Sequence, residues 1–225
     1  DSGLNLVSDD DVTLHATVTV SGDISIVAGT TTGGIDVNAK LTGSGTILLD
    51  AADEITIDAD IDPTTVTLNA DDDITVNASV VASDLITVSA GEDGSGSVIL
   101  GATGSLTTTD SGSDITVTTG VISGDISLAG ATTAVDQVVF TSSAGDIALA
   151  GSVASTDLVV TSSGAVTDGA DGDLAISGLA QVTAGSIELG NDAGNTTNFG
   201  TLTFNSAGSV TISEDSSLDL VGINT

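Results

Sequence analysis

The chain has 225 residues and a mass of 21.7 kDa, with 32 Asp and Glu against one basic residue, Lys40, a formal net charge of −31, no Cys, Met, Trp or Tyr, and three Phe. That balance removes any electrostatic footprint for nucleic acid or an anionic membrane, and the lack of Cys removes disulfides, thiolate metal sites and cysteine nucleophiles. With 40% apolar residues and a mean hydropathy of +0.40 the chain is too hydrophobic for a disordered acidic tail, yet it has no apolar run long enough to span a bilayer as a helix.

The start carries no initiator Met, basic segment or apolar leader, which predicts a mature or internal piece of a longer precursor. Alternation begins at Val12, Leu14, Ala16, Val18 and Val20 and places His15, the lone histidine, on the solvent side of a strand. An acidic or small residue followed by apolar, polar, apolar then recurs. It is seen at Asp23-Ile24-Ser25-Ile26, Gly34-Ile35-Asp36-Val37, Asp73-Ile74-Thr75-Val76, Asp114-Ile115-Thr116-Val117, Asp125-Ile126-Ser127-Leu128, Asp146-Ile147-Ala148-Leu149 and Asp173-Leu174-Ala175-Ile176. Weaker copies follow at Ser186-Ile187-Glu188-Leu189 and Ser209-Val210-Thr211-Ile212. Each unit reads as a short strand, and Pro63 falls at a turn between two of them. No stretch carries helical periodicity with helix caps. Leu218, Leu220 and Val221 still read as repeat, and neither end shows an amphipathic helix or polar lid, so the expectation is a segment of a longer shaft or subunits that stack end to end.

The spacing of the units sets the architecture. Asp114, Asp125, Asp136, Asp146, Asp157 and Asp168 follow one another at a near-constant beat, and Ile126 to Ile147 spans two beats. Two strand units per turn, about 20–21 residues per coil and roughly 11 coils are expected, in one all-β parallel β-solenoid domain over residues 1–225, with right-handed winding the usual outcome. A tandem β-sandwich shows similar strand spacing. The mutual likeness of the units, the near absence of aromatic residues and the Ala, Gly and Ser between strands favour the solenoid.

The segments SGDISIVAG, SGDISLAGATT, AGDIALAGSVASTDLVVTSSGAVTDG and AGSIELGNDAGNTTNFGTLTFNSAGSVTIS resemble, in composition and repeat style, the repeat regions of filamentous-haemagglutinin-type adhesins and related giant bacterial β-strand-repeat surface proteins. The resemblance spans essentially the whole chain. It implies a secreted, right-handed β-helical shaft that holds adhesive regions away from a cell, with no catalytic residues to carry over. The expected function is a structural shaft or self-assembling filament subunit of a prokaryotic extracellular, cell-surface fibre or adhesin. Its partners would be copies of itself or the rest of a longer surface protein, and glycans or proteins of a host or neighbouring cell; no required cofactor and no membrane insertion are expected.

Catalytic chemistry is sparse. The single His has no Gly-x-Ser-x-Gly elbow beside it, and no Gly-Lys-Ser/Thr follows the glycine-rich runs, which read as turns. A polysaccharide-degrading β-helix enzyme would need a basic side chain or an aromatic-paved cleft, and the chain has no Arg and only Phe140, Phe199 and Phe204. A non-enzymatic chain is expected.

The acidic residues are the better lead. Asp53-Glu54, Asp71-Asp72-Asp73 and Glu92-Asp93 recur about once per coil and would stack at one corner, where like charges ~5 Å apart cost on the order of 1 kcal/mol per pair even in water. Ca²⁺ is the ion that such hard oxygens select. The candidate ligands are Asp58, Asp60 and Asp62, then Asp71, Asp72 and Asp73, then Asp168, Asp171 and Asp173. The competing reading is that Asp opens turns by bonding backbone N–H groups, while the net charge serves solubility or a high-salt setting. Thr17/Thr19, Thr65/Thr67, Thr116/Thr118 and Thr201/Thr203 raise an ice-binding face, but these pairs do not recur once per coil. Asn77-Ala78-Ser79 and Asn195-Thr196-Thr197 match the N-glycosylation acceptor.

Overall fold

A computed structural model describes residues 2–29 and 31–225. Its first turn sets the plan. Strand Leu4–Ser8 forms a first face, Val12–Leu14 a second and Val18–Val20 a third, after which Ile24–Ala28 returns beside Leu4–Ser8 with Leu4 opposite Ile24. Strands of the second face, such as Ile35–Val37 and Ile147–Leu149, form one sheet of 10. First- and third-face strands join into a sheet of 17, because Leu174–Ala184 and Thr197–Ser206 run from the third face through the corner into the first. The chain is an all-β parallel β-solenoid. Every strand pairing among the described residues is parallel, which excludes the tandem sandwich with its antiparallel sheets.

The winding differs from the spacing argument in two respects. There are three strands per turn, and about nine turns rather than 11. Leu4 and Leu202 stand in one column nine rungs apart, a mean of about 22 residues per turn. The shortest step in that column runs from Ile47 to Val66 and the longest from Ile86 to Ile115. The third-face strands are very short over much of the rod, as at Leu41–Gly43, Ile61–Asp62, Ser79–Ala82 and Val153–Ser155, and show little alternation. The long turn carries glycine-rich corner loops. Gly91 there has φ 73°, and a Cβ on it would stand 2.7 Å from the Gly96 nitrogen, so both conformation and space demand glycine. Nine steps of about 4.8 Å give a rod of ~43 Å.

The interior is built of in-register columns. First-face strands such as Thr46–Ala51 alternate half-buried and buried positions, and one inward column runs Ile24, Ile47, Val66, Ile86, Ile115, Val138, Leu158, Ala180 and Leu202. Each buried Ile, Leu or Val contributes roughly 1.5–3 kcal/mol relative to exposure. A second inward column changes chemistry along the rod, with Ala28, Ala51, Ala70 and Ala90 followed by Thr119, Ser142 and Ser162. Those hydroxyls are not orphans. Ser142 Oγ donates to the Gly124 carbonyl at 2.7 Å and accepts from Gly145 N–H at 3.0 Å, and Ser162 repeats the pattern with Gly145 and Gly164. A small residue at this place lets the backbone turn tightly.

The ends are unequal. The outer edge of Leu4–Ser8, Val12–Leu14 and Val18–Val20 has no neighbouring strand among the described residues, and Leu6 and Val7 are 37% and 72% exposed. At the other end, contrary to the expectation of no polar lid, residues 214–225 cover part of the last turn. Asp215 Oδ2 accepts Thr197 N–H at 2.8 Å, Glu214 Oε1 accepts Phe199 N–H at 3.1 Å, and the Leu202 and Ser206 amides reach the carbonyls of Asp219 and Thr225. Carboxylates and irregular backbone carbonyls are thus the acceptors for these amides.

Candidate functional site

The coil corners carry nearly all the charged chemistry, and their geometry follows from a backbone problem. Where the chain leaves a corner, a residue just before a strand or at its entry, or at the bend within a long strand, points its N–H back at the preceding coil. In many coils an Asp at the same place in that preceding coil supplies the acceptor. Thus Asp23 Oδ1 takes Thr46 N–H at 2.8 Å, Asp73 takes Ser97 at 2.7 Å, Asp125 takes Asp146 at 2.8 Å, Asp146 takes Ala165 at 2.7 Å and Asp157 takes Leu179 at 2.7 Å. Asp11, Asp60, Asp114 and Asp173 do the same for Gly34, Ser79, Gln137 and Thr196. The recurring Asp-Ile unit is therefore an inter-coil clip. Asp does bond backbone N–H, as one reading of the sequence held, but across a whole turn of the coil rather than within its own corner.

The expected cation ligands fall into separate roles. Asp58 accepts Asn77 Nδ2 at 2.9 Å, Asp60 is a clip, and Asp62 stands 3.8 Å from Lys40 Nζ in an exposed ion pair of little energetic weight. Asp73 is a clip as well, while Asp72 belongs to the stack anticipated from the spacing. Its carboxyl lies above the usual range through desolvation, a hydrogen bond that its protonated form donates to Asp53, and the charges of Asp53, Asp93 and Asp73. Glu92 is raised in the same way, by burial and then by Asp50 and Asp71. Of the last trio, Asp173 is a clip, Asp171 is exposed, and Asp168 points inward. Among the described residues no three His, Asp or Glu side chains converge as a metal-binding group.

Asp168 is the anomaly. It follows Leu149 in an inward column otherwise filled by residues such as Val37, Ile57, Val76, Leu100 and Leu128. Its Oδ2 accepts Gly190 N–H at 2.6 Å and Asn195 Nδ2 at 2.8 Å, and burial lifts its pKa against the pull of the Gly190 N–H and its own backbone N–H, with Asp192 and Glu188 adding to the rise. The sequence offered Asp168 as a cation ligand together with Asp171 and Asp173; the break in the apolar column is the signal that separates it from those two.

The remaining candidates sit apart from any cleft. His15 is exposed, as expected of the solvent side. Phe140 is 0% and Phe199 4% exposed, so they belong to the core. The side-chain nitrogens of both glycosylation-type asparagines are engaged, Asn77 with Asp58 and Asn195 with Asp168. The Thr-x-Thr pairs do not recur once per coil, but a single outward column does: Asn69, Ser89, Thr118, Thr141, Thr161, Thr183 and Asn205 stand in register. Of the four named pairs it takes in only Thr118, and the companion column is broken by Val139, Val159 and Gln181. Thr118 Oγ1 lies 3.3 Å from Ser89 Oγ, so these hydroxyls also tie coil to coil.

Comparison of the chain with protein-family models, curated proteins and solved structures finds no match.

Proposed function

We propose that this chain is a rigid structural segment of an extracellular, cell-surface fibre or adhesin shaft, its N-terminal turn continued by a further parallel coil from a longer chain or from another copy. The observation that supports this best is the ladder of parallel strands and inward columns that joins every pair of coils and runs to the outer edge of Leu4–Ser8, Val12–Leu14 and Val18–Val20. Leu6 continues the column of Ile26 yet is 37% exposed. An edge of this kind is a template for strand addition. The rest of the molecule suits a mechanical role: clips and ladders run along the rod, and the acidic skin keeps rods from associating side to side. The repeat-style resemblance to filamentous-haemagglutinin-type adhesins points the same way, with any adhesive target carried elsewhere in the assembly.

Negative-stain electron microscopy of the purified protein over a range of concentrations tests this reading, with Leu6→Lys as the comparison. Thin fibres of the native protein, shortened to single rods of ~43 Å by a charge in the abutting column, are the expected result. Single rods of the native protein at every concentration would overturn end-to-end addition of copies.

A further inference from the structure

We propose that Asp168 Oδ1, Asn195 Oδ1 and Thr197 Oγ1 form a calcium site at the corner between the second and third faces, where residues 168–173 and 190–196 lie on successive coils. The ligand set differs from the run Asp168, Asp171 and Asp173 suggested by sequence spacing, since Asp173 is occupied as a clip and Asp171 is exposed.

Three independent features converge on this corner. Asp168 Oδ1, Asn195 Oδ1 and Thr197 Oγ1 are each shielded from solvent and lack any hydrogen-bond partner. Thr197 is 0% exposed and occupies an inward place beside Leu174, so its hydroxyl faces the interior of the corner; it lies 3.0 Å from where a Cβ on Gly190 would stand. Gly190 N–H and Asn195 Nδ2 both bond Asp168 Oδ2, which sets the carboxylate and the carboxamide side by side with their other oxygens free. Gly190 itself, at φ 72°, puts no side chain into the corner.

A water molecule would satisfy the hydrogen bonds but not the charge. Asp168 is half-buried, its charged neighbours Glu188 and Asp192 are both acidic, and no Lys or Arg follows Lys40 in the chain. A cation answers both needs. Carboxylate, carboxamide and hydroxyl oxygens in an irregular set suit Ca²⁺, which accepts six to eight oxygens in flexible geometry, better than Mg²⁺ with its strict octahedron. Solvent fills the remaining positions on the exposed side.

The experiment is calorimetric titration of chelator-treated full chain with CaCl₂, and separately with MgCl₂, at salt high enough to screen diffuse binding to the acidic surface. One saturable Ca²⁺ site per chain is expected. Thr197→Val, which keeps the shape and removes one oxygen, should weaken it by about tenfold or more, and Asp168→Leu, which completes the apolar column, should abolish it. Asp72→Asn, a change in the separate acidic stack, should leave the site intact. Absence of a saturable site in the native chain, or its survival unweakened in a Thr197→Val protein with native circular dichroism, overturns the proposal. Should Asp168→Leu fail to fold, Thr197→Val decides alone.

Discussion

The clip reading of the corner aspartates is open to direct attack at Asp146, which accepts Ala165 N–H at 2.7 Å while its own N–H bonds Asp125 at 2.8 Å. Asp146→Ala leaves the Ala165 amide without its acceptor. A hydrogen bond to a charged group is worth about 1.5–3 kcal/mol when well shielded, and a carboxylate capping exposed backbone N–H groups about 0.5–2. This bond is solvent-exposed, so the lower range applies. Removing the charge also relieves repulsion with Asp125 one rung away, an opposing effect on the order of 1 kcal/mol at water's dielectric. The net expectation is a loss of at most about 1 kcal/mol for Asp146→Ala. Asp146→Asn keeps an oxygen acceptor and sheds the charge, so it should match or exceed the native protein. Asp84→Ala is the control, since that carboxylate makes no hydrogen bond among the described residues, and it should be neutral or stabilising. Urea unfolding followed by far-ultraviolet circular dichroism measures all four, because urea leaves the electrostatics unscreened. The clip account fails if Asp146→Ala is no worse than Asp84→Ala, or if Asp146→Asn is as damaging as Asp146→Ala.

Three further outcomes follow from the same structure. Thr132 is 0% exposed in the column between Leu106 and Val153, with Oγ1 unpartnered, so Thr132→Val should raise the urea midpoint by an amount equivalent to about 1 kcal/mol, and a lowered midpoint would count against the inward placement of that hydroxyl. Phe140, 0% exposed between Val117 and Val160, should cost about 3–5 kcal/mol as Phe140→Ala, read in the same assay. Asp72, Glu92 and Asp168 have carboxyl pKa values raised in the folded state, so that state takes up protons the unfolded chain does not. Their penalty is full above the folded-state values and is relieved as pH falls through them toward the unfolded ones, so the melting temperature in the absence of divalent ions should rise as pH is lowered from neutrality toward the ordinary carboxylate range. A flat profile over that window would refute the assignment.

The solenoid itself was legible because the alternation of Asp-Ile-Ser-Ile and its copies is both local and periodic. The turn count was less so. Strands such as Leu41–Gly43 and Ile61–Asp62 are too short to announce themselves, and loops such as the one holding Gly91, Gly94 and Gly96 stretch the turn from Ile86 to Ile115 well beyond the one before it, from Val66 to Ile86. Among the acids, sequence spacing found the stacked Asp53, Asp72 and Asp93, whose mutual repulsion shows in the raised Asp72. It could not tell a clip from a stack, because the distinguishing partner is a backbone N–H a full turn further along the chain, and any residue type except Pro supplies one. Asp168 was named with Asp171 and Asp173 from its glycine-rich turn, but its inward place was hidden, because only register sets it in the Leu149 column.

That independence from the partner's identity explains why the repeat is degenerate. In the corner column before the first face, Thr46, Thr65, Leu85 and Asp114 follow one another, and later Gln137 and Asp157. Asp114 clips Gln137 and Asp157 clips Leu179, so each acid is followed by a neutral residue whose side chain is free to vary. Alternation sets such acids two rungs apart, ~9.6 Å, close to the Debye length of about 10 Å at 0.1 M salt, where their repulsion is largely screened. A strict Asp in every coil would halve that distance and forfeit the screening. In the corner before the second face, Asp125 and Asp146 do sit on consecutive coils, but each carboxylate there accepts a backbone N–H, which offsets part of their repulsion. The excess negative charge is therefore tolerated where acids are spaced or clipped. It is costly where carboxylates stack against one another, as at Asp53, Asp72 and Asp93, and where one is turned inward, as at Asp168.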